Sequence, residues 1–235
     1  MLYLTLNGTY SDSITGLVIS ELPPVTKPMI RTQVEEIDGR DGDIITKLGY
    51  SAYDKTVRIG LMDADEIDNV ISFFDSSGEV IFSNEPDKYY RYQILNQIDF
   101  AQLLEIRTAD VVFHVQPFKY SATETDIEES YGGADPKTLS VTNSGNIDAK
   151  PKITITGSGT IDLSLNGNQI FSIDMSGIST ISIDAETMEA TGGGVLRNRL
   201  VTGDYDAFVL QPGSNTLTWT GNITDIALAR YSRWL

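Results

Sequence analysis

The chain has 235 residues, which fits one large domain or two small ones, and an apolar fraction of 40% is enough for a hydrophobic core. It contains no cysteine, which excludes disulfides, thiolate metal sites and a cysteine nucleophile. The net charge is −16, so we expect a surface that repels nucleic-acid phosphate and anionic membranes. No apolar run approaches the roughly 18 residues of a membrane span.

The first part of the chain predicts β-strands and one helix. The N-terminus alternates like a strand before an Asn7-Gly8 turn, and it lacks the basic start and apolar stretch of a signal peptide. A helix is predicted after Asp63, because Asp63 and Glu66 form a capping-box-like pair. The apolar residues that follow recur with helical spacing at Ile67, Val70, Ile71 and Phe74. Alternation predicts further strands at 57–61, 80–82, 89–94 and 111–115.

The segment 82–92 predicts a strand end, a tight charged turn and a tyrosine-rich strand. Pro86 fixes its own φ and Asp87 favours a turn. In the strand that follows, Tyr90 faces one side of the sheet and Tyr89 the other. Because nothing in this segment is typical of catalysis, we interpret its residues as serving the shape of the domain.

The sequence predicts two domains, 1–135 and 136–235. Proline at Pro117-Phe118 is expected to end the strand before it. The stretch 119–137 is rich in serine, threonine, glycine and acidic residues, which predicts a connector. Residues 1–135 carry 10 basic and 24 acidic side chains, a net charge of −14, and residues 136–235 carry 7 and 9, a net charge of −2. We therefore expect the acidity to belong almost wholly to the first domain.

The second domain is predicted to be a β-sandwich of about 100 residues. Short alternating strands are separated by turn residues, and no helical pattern appears after residue 137. Asn166-Gly167 is the strongest hairpin signal in this part. The predicted fold class is therefore mainly β, with a β-rich α+β first domain.

No group of residues in the sequence predicts catalysis, a cofactor or a metal site. His114 is the only histidine, and we interpret it as structural. The run 38–43 begins like a calcium loop, but Arg40 and Gly42 stand where oxygen ligands are needed, so a tight turn is predicted instead. Tyr205 and Trp219 are candidates for stacking on a sugar, and the alternative is that they pack in the core.

Three segments, taken in order, resemble the distal tail protein family of long, flexible-tailed bacteriophages. The residues that carry the resemblance are Asp38, Gly39, Asp41 and Gly42 in 36–43, Pro86, Asp87, Tyr89 and Tyr90 in 82–92, and Pro117 and Phe118 in 113–118. The predicted helix lies between the first two segments. In the second domain, 143–146, 149–151, 210–215 and 233–235 also resemble the family.

The resemblance implies a structural protein of the virion tail tip with no enzymatic activity and no cofactor. It implies a first domain that builds a homohexameric ring and a galectin-like C-terminal sandwich that projects outward. The ring would join the tail tube protein to the tail-associated lysin or fibre protein. The tape-measure protein and then DNA would pass through its centre without specific binding, and no membrane would be involved.

Two other functions stay open from the residues alone. The first is a carbohydrate-binding module that contacts host cell-wall glycans through the second domain. The second is an enzyme that hydrolyses those glycans through paired carboxylates, although the sequence shows no pair in a recognisable setting.

Overall fold

The computed structural model describes residues 2–98, 104–132 and 137–235, and the chain forms two compact units. The first unit is Met1–Ala122 together with Leu235, and the second is Thr123–Trp234. Both consist mainly of antiparallel strands, and the predicted helix is present as α1 (Ile67–Phe74). The mainly β fold class is therefore confirmed.

The strands of the first unit form one large sheet and one separate hairpin. They are β1 (Leu4–Leu6), β2 (Thr9–Tyr10), β3 (Leu17–Glu21), β4 (Ile30–Glu36), β5 (Asp43–Tyr50), β6 (Tyr53–Leu61), β7 (Ser77–Phe82), β8 (Lys88–Ile94) and β9 (Thr108–Ser121). In the sheet the order is β2–β1–β7–β8–β9–β6–β3, and β4 pairs with β5 in the hairpin. Short 3-10 helices lie at Ser11–Ser13 and Ala64–Glu66.

One face of the large sheet is buried under α1. The inward residues predicted by alternation are buried, including Val57, Ile59 and Phe113, and the helix adds Val70 and Phe74. The tyrosine strand alternates as predicted, with Tyr90 and Tyr92 in the core. The Asp63 side chain caps the turn that leads into α1 by accepting from the Asp65 amide at 3.1 Å.

The strand β9 does not end at Pro117-Phe118, so that prediction is wrong. Tyr92 of β8 pairs with Val115, and Tyr90 pairs with Lys119. The register therefore shifts across Pro117. A bulge accommodates a residue that has no N–H to donate, and the strand resumes beyond it.

The second unit is a β-sandwich formed by two long bent strands and their neighbours. Its strands are β10 (Ile127–Ser130), β11 (Lys137–Asn143), β12 (Lys152–Leu165), β13 (Asn168–Asp174), β14 (Thr180–Asp184), β15 (Glu189–Gly192), β16 (Val195–Leu196), β17 (Val201–Gly203) and β18 (Gly213–Ala229). The two-residue strand β19 (Arg233–Trp234) follows near the end of the chain and is not part of the sandwich sheet. Short 3-10 helices lie at Asn198–Leu200 and Tyr205–Ala207.

Strands β12 and β18 pair along their lengths and both bend in the middle. The first half of β12 lies between β14 and the end of β18, and its second half lies between β13 and the start of β18. Register shifts near Gly157 and Gly221 mark the bend, where each glycine lies against backbone atoms of the other strand. The predicted Asn166-Gly167 turn joins β12 to β13 with positive φ at both residues.

The two units divide earlier in the chain than the sequence predicted. Strand β10 lies inside the stretch predicted to be a connector, and Ile127 to Ser130 pair with Leu228 to Asp225 of β18. Asp135, where we placed the boundary, lies outside the described residues. A four-residue edge strand within an acidic, polar run gives too little alternation to be detected.

This division changes the predicted distribution of charge. With the boundary after Ala122, the first unit has 10 basic and 19 acidic residues, a net charge of −9. The second unit has 7 and 14, a net charge of −7. The expectation that the acidity belongs almost wholly to the first domain is therefore wrong, because the acidic stretch 124–129 belongs to the second unit.

Candidate functional site

The candidate site is the hairpin of β4 and β5, which we call the arm (residues 30–50). Among the described residues, the arm pairs with no strand of either larger sheet. Its register places Val34 opposite Ile45 and Glu36 opposite Asp43. Both long edges of the arm therefore have unpaired backbone groups, which are suited to pairing with another strand.

The arm exposes large apolar side chains. The exposed fractions are 52% for Val34, 49% for Ile37, 62% for Ile45 and 55% for Leu48. An isolated two-stranded hairpin is only marginally stable in water, and exposed apolar clusters commonly mark sites of interaction. These properties indicate that the arm contacts another protein surface.

The tip of the arm is the tight turn that the sequence predicted. Gly39 and Gly42 have φ values of +80° and +79°, and the Arg40 amide donates to the Ile37 carbonyl at 3.1 Å. Asp38 and Asp41 lie in this exposed turn. Among the residues that the structure describes, no group of histidine, cysteine or acidic side chains could hold a metal ion.

The arm is reached through an extended segment, residues 22–29, that we call the strap. Three backbone carbonyl groups of the strap accept hydrogen bonds from side chains of the first unit. Asn84 Nδ2 donates to Pro23 O at 2.9 Å and Lys55 Nζ donates to Pro24 O at 2.9 Å. Tyr53 Oη donates to Thr26 O at 3.4 Å. We call these three donors the clamp.

A largely buried carboxylate, that of Glu85, lies beside the clamp with its side chain 17% exposed. Glu85 Oε1 accepts from Lys119 Nζ at 2.8 Å, and Glu85 Oε2 accepts from Tyr90 Oη at 2.6 Å. Tyr90 and Lys119 are buried, and Lys55 is only 3% exposed, with Nζ 4.9 Å from the centroid of the Tyr90 ring. Glu85 therefore has a partner on each oxygen, as a buried charge requires.

Burial changes the pKa values of the groups in this cluster. Desolvation lowers the pKa of Lys55 to about 8; the charge of Glu85 opposes this shift and the charge of Lys119 adds to it. Desolvation, followed by the hydrogen bond to Glu85, raises the pKa of Tyr90. Desolvation also raises the pKa of Tyr53. The tyrosines are therefore neutral donors at neutral pH.

The structure brings parts of all three motif segments to the arm. The first segment forms its tip, and Asn84 and Tyr90 of the second belong to the clamp and to the cluster beside it. Phe118 of the third segment contacts Tyr50 at the base of the arm, with ring centroids 5.5 Å apart. Tyr89 lies on the other face of the sheet, stacked on Tyr120 at 5.3 Å. Pro86 and Asp87 form the turn before β8.

The sequence-based reasoning missed the strap, Lys55 and Lys119. One signal was present: Lys55 occupies an inward position two residues before Val57, in a strand whose other inward residues are apolar. A charged residue at such a position indicates a buried partner. The sequence does not identify the partner of Lys55, because Glu85 lies in the turn between β7 and β8 and Lys119 lies on β9.

The motif segments of the second unit meet one another within that unit. Asn143 Nδ2 donates to Leu210 O at 2.9 Å and to Ile147 O at 3.0 Å, and its Oδ1 accepts from the Gly145 amide at 2.9 Å. Asn215 makes similar bonds to the backbone of Gln211. These asparagines satisfy buried loop backbone and do not form an open site.

The structure corrects the proposal of Trp219 as a sugar-stacking residue. Trp219 is 2% exposed and packs edge-to-face against Tyr131 at 4.8 Å in the sandwich core. Tyr205 packs edge-to-face against Phe171 at 5.1 Å. A sugar has no access to the face of Trp219, so the core interpretation holds for that residue.

His114 lies on the exposed face of the large sheet. Its Nδ1 is 2.7 Å from Asp54 Oδ1, across the β6–β9 pairing. The two residues form a surface pair, which agrees with the structural interpretation of this histidine. None of the described helices is long and apolar enough to cross a membrane.

Comparison with known proteins finds solved structures whose fold matches the whole chain. The structure is similar to the crystal structure of the Dit protein of phage SPP1, described as a paradigm of the hub adsorption apparatus in phages that infect Gram-positive bacteria. The TM-score is 0.67 at 15% identity, and the match covers 100% of both chains. This chain has a Dit-like fold. Because the match covers the full chain, it includes both the first unit, which carries the arm, and the second unit.

A second solved structure supports the Dit-like fold. A chain of the phage p2 baseplate, in its activated conformation with strontium, matches with a TM-score of 0.53 at 8% identity over 97% of each chain. The sequence itself matches no model of a known protein family and no curated protein. The likeness therefore lies in the three-dimensional arrangement and is weak in the sequence.

Proposed function

We propose that this chain is a structural component of a phage tail tip and has no enzymatic activity. The observation that carries the proposal is the likeness to the SPP1 hub protein over the full length of both chains. We propose that six copies form a ring which joins the tail tube protein to the tail-associated lysin or fibre protein. The tape-measure protein and DNA would pass through the ring, and the protein would reside in the virion.

The arm supplies the contact between copies in this proposal. Its exposed apolar residues and unpaired edges can be covered by the same surface on every neighbour, as a closed ring requires. A stable interface buries about 800 Å² on each partner, which a hairpin of this size can contribute together with the sheet at its base. The contact must also overcome repulsion between copies that each carry a charge of −16.

The mass of the purified chain by multi-angle light scattering tests the role of the arm. One copy has a mass of 25.8 kDa, so a ring of six has about 155 kDa. The double variant Val34→Ser and Ile45→Ser removes the apolar pair at the centre of the arm, and we expect it to remain a monomer at concentrations where the parent assembles.

The matched control is Val195→Ser with Leu196→Ser, because these residues form an exposed apolar pair on a hairpin of the second unit, 55% and 58% exposed. We expect the control to assemble like the parent. Equal assembly of the arm variant and the control would contradict the role of the arm, and a parent that stays monomeric would contradict the ring.

A further inference from the structure

The strap has a composition that prevents it from joining a sheet. Pro23, Pro24 and Pro28 have no backbone N–H and fix their own φ, so the segment cannot complete a ladder with a neighbouring strand. Its carbonyl groups remain available as acceptors. The donors that bond them are side chains, and the strap is attached to the first unit through long polar residues and two buried prolines, Pro23 and Pro28.

The three donors of the clamp come from two different elements. Tyr53 and Lys55 lie on β6, and Asn84 lies in the turn between β7 and β8. That turn is closed by the Glu85 amide, which donates to Phe82 O at 2.9 Å. Lys55 is held in the core between the aromatic rings of the sheet. Lys55 is therefore fixed before it meets the strap, so its bond needs little further ordering. The exposed Asn84 is held at its backbone by the turn.

The other end of the arm is fixed to the same unit. The Ser51 amide donates to Met29 O at 2.9 Å, which ties the residue after β5 to the residue before β4. The Tyr50 ring contacts Phe118 of β9. A hairpin whose two ends are both held can move as a whole only if one attachment opens.

We propose that the clamp is a positioning device, which fixes the direction in which the arm leaves the main sheet. The bonds from Lys55 to Pro24 O and from Asn84 to Pro23 O hold the strap in one path, and the path sets the start of β4. This inference concerns a single copy and does not depend on the ring, so the two can fail separately. The clamp residues act on the arm through the strap and do not contact a partner themselves.

The test measures the spread of distances between the arm and the sheet. Because the chain has no cysteine, Thr46→Cys in the arm and Gln93→Cys on β8 place two spin labels at unique exposed sites. Double electron–electron resonance on labelled chain diluted with unlabelled chain reports the distance distribution within one copy. We expect the distribution to become at least twofold wider when Lys55→Met and Asn84→Ala are combined.

The matched control is Arg58→Met, which removes another long cation from β6. Arg58 pairs with Asp110 at 2.9 Å and with Glu21 at 3.8 Å on the outer face, and neither partner belongs to the strap. We expect its distribution to equal that of the parent. If circular dichroism shows that the combined variant does not fold, the same distance measurement is made on Asn84→Ala alone. We then expect a distance distribution that is wider than that of the parent by less than twofold. An unchanged width in a folded clamp variant overturns the proposal.

Discussion

Two irregular segments, the strap of the first unit and the loop around Leu210 in the second, are held by different chemistry. In the first unit, the strap is bonded by Lys55, Tyr53 and Asn84, beside the buried ion pair of Glu85 with Lys119. In the second unit, the loop around Leu210 is bonded by the neutral amide of Asn143. The contribution of a buried charge to stability depends on its partners and on pH, whereas that of a buried amide depends only on the geometry of its hydrogen bonds. The comparison therefore predicts that the two units respond differently to the same kind of change.

The largest effect is expected from Glu85→Ala. The change leaves the buried Lys119 ammonium without its carboxylate, which costs about 3–5 kcal/mol of stability when one partner of a buried pair is removed. Glu85→Gln keeps an oxygen acceptor and should cost less. Urea unfolding followed by circular dichroism measures both, with the exposed Glu79→Ala as the control. A loss below about 1 kcal/mol for Glu85→Ala would contradict a buried pair.

A somewhat smaller loss is expected from Asn143→Ala in the second unit. The change removes the side-chain bonds to the carbonyl groups of Ile147 and Leu210 and to the Gly145 amide, and the Leu210 carbonyl still accepts from the Ala149 amide at 2.9 Å. One buried polar group left without a partner costs about 1–3 kcal/mol. Trp219 lies in the core of the second unit, so its fluorescence, measured in a Trp234→Phe background, follows the unfolding of this unit. The control is the exposed Asn222→Ala, and equal midpoints for the two variants would contradict the role of Asn143.

The pH dependence of stability should distinguish the Lys55 cluster of the first unit from the Asn143 loop of the second. The pKa of Lys55 is lowered to about 8 in the folded chain, below its ordinary value of 10.5. Between these values the unfolded chain binds more protons, so the contribution of Lys55 to stability rises with pH, by at most about 1.4 kcal/mol per pH unit. The groups that face Lys55 are Glu85, Lys119, Tyr53 and Tyr90, and the raised pKa values of the two tyrosines oppose this rise only above about pH 10.

The measurement compares the parent with Lys55→Met at several values between pH 7.5 and 9.5. We expect the stability of the parent relative to Lys55→Met to increase across this range. The stability difference between the parent and Asn143→Ala should stay constant, because neither side chain titrates there. If the stability of the parent relative to Lys55→Met falls with pH instead, the pKa of Lys55 is raised in the folded chain and the account is contradicted.

The smallest effect is expected from salt on assembly. Both units are acidic, so copies repel one another, and the screening length falls from about 10 Å at 0.1 M to about 3 Å at 1 M salt. We expect the chain to assemble more readily at the higher salt concentration. Light scattering at the two concentrations checks this, and dissociation on adding salt would indicate that ion pairs hold the copies together.

The sequence predicted the elements whose evidence is local. The inward residues of β6, β8 and β9, the cap at Asp63 and the Asn166-Gly167 turn all follow from spacing within a few residues. The domain boundary and the charge distribution were wrong for one reason. The short strand β10 is stabilised by its pairing with β18, about a hundred residues away in the chain, and the local sequence is polar.

The candidate site was predictable only in part. The tip of the arm was visible as a glycine and aspartate turn, and the motif segments pointed to residues that lie around the arm. The clamp was not visible, because its bonds join a proline-rich segment to side chains 31 and 61 positions away. Such pairs depend on the strand order of the sheet, and alternation does not specify that order.

Negative-stain electron microscopy of the purified parent chain tests the central claim most directly. We predict class averages of a closed ring with sixfold symmetry at high protein and salt concentrations, and loss of the ring in the Val34→Ser and Ile45→Ser variant. Particles the size of a single copy under all these conditions, or a ring that survives in the arm variant, would contradict the claim that the arm joins copies of this chain into a hub.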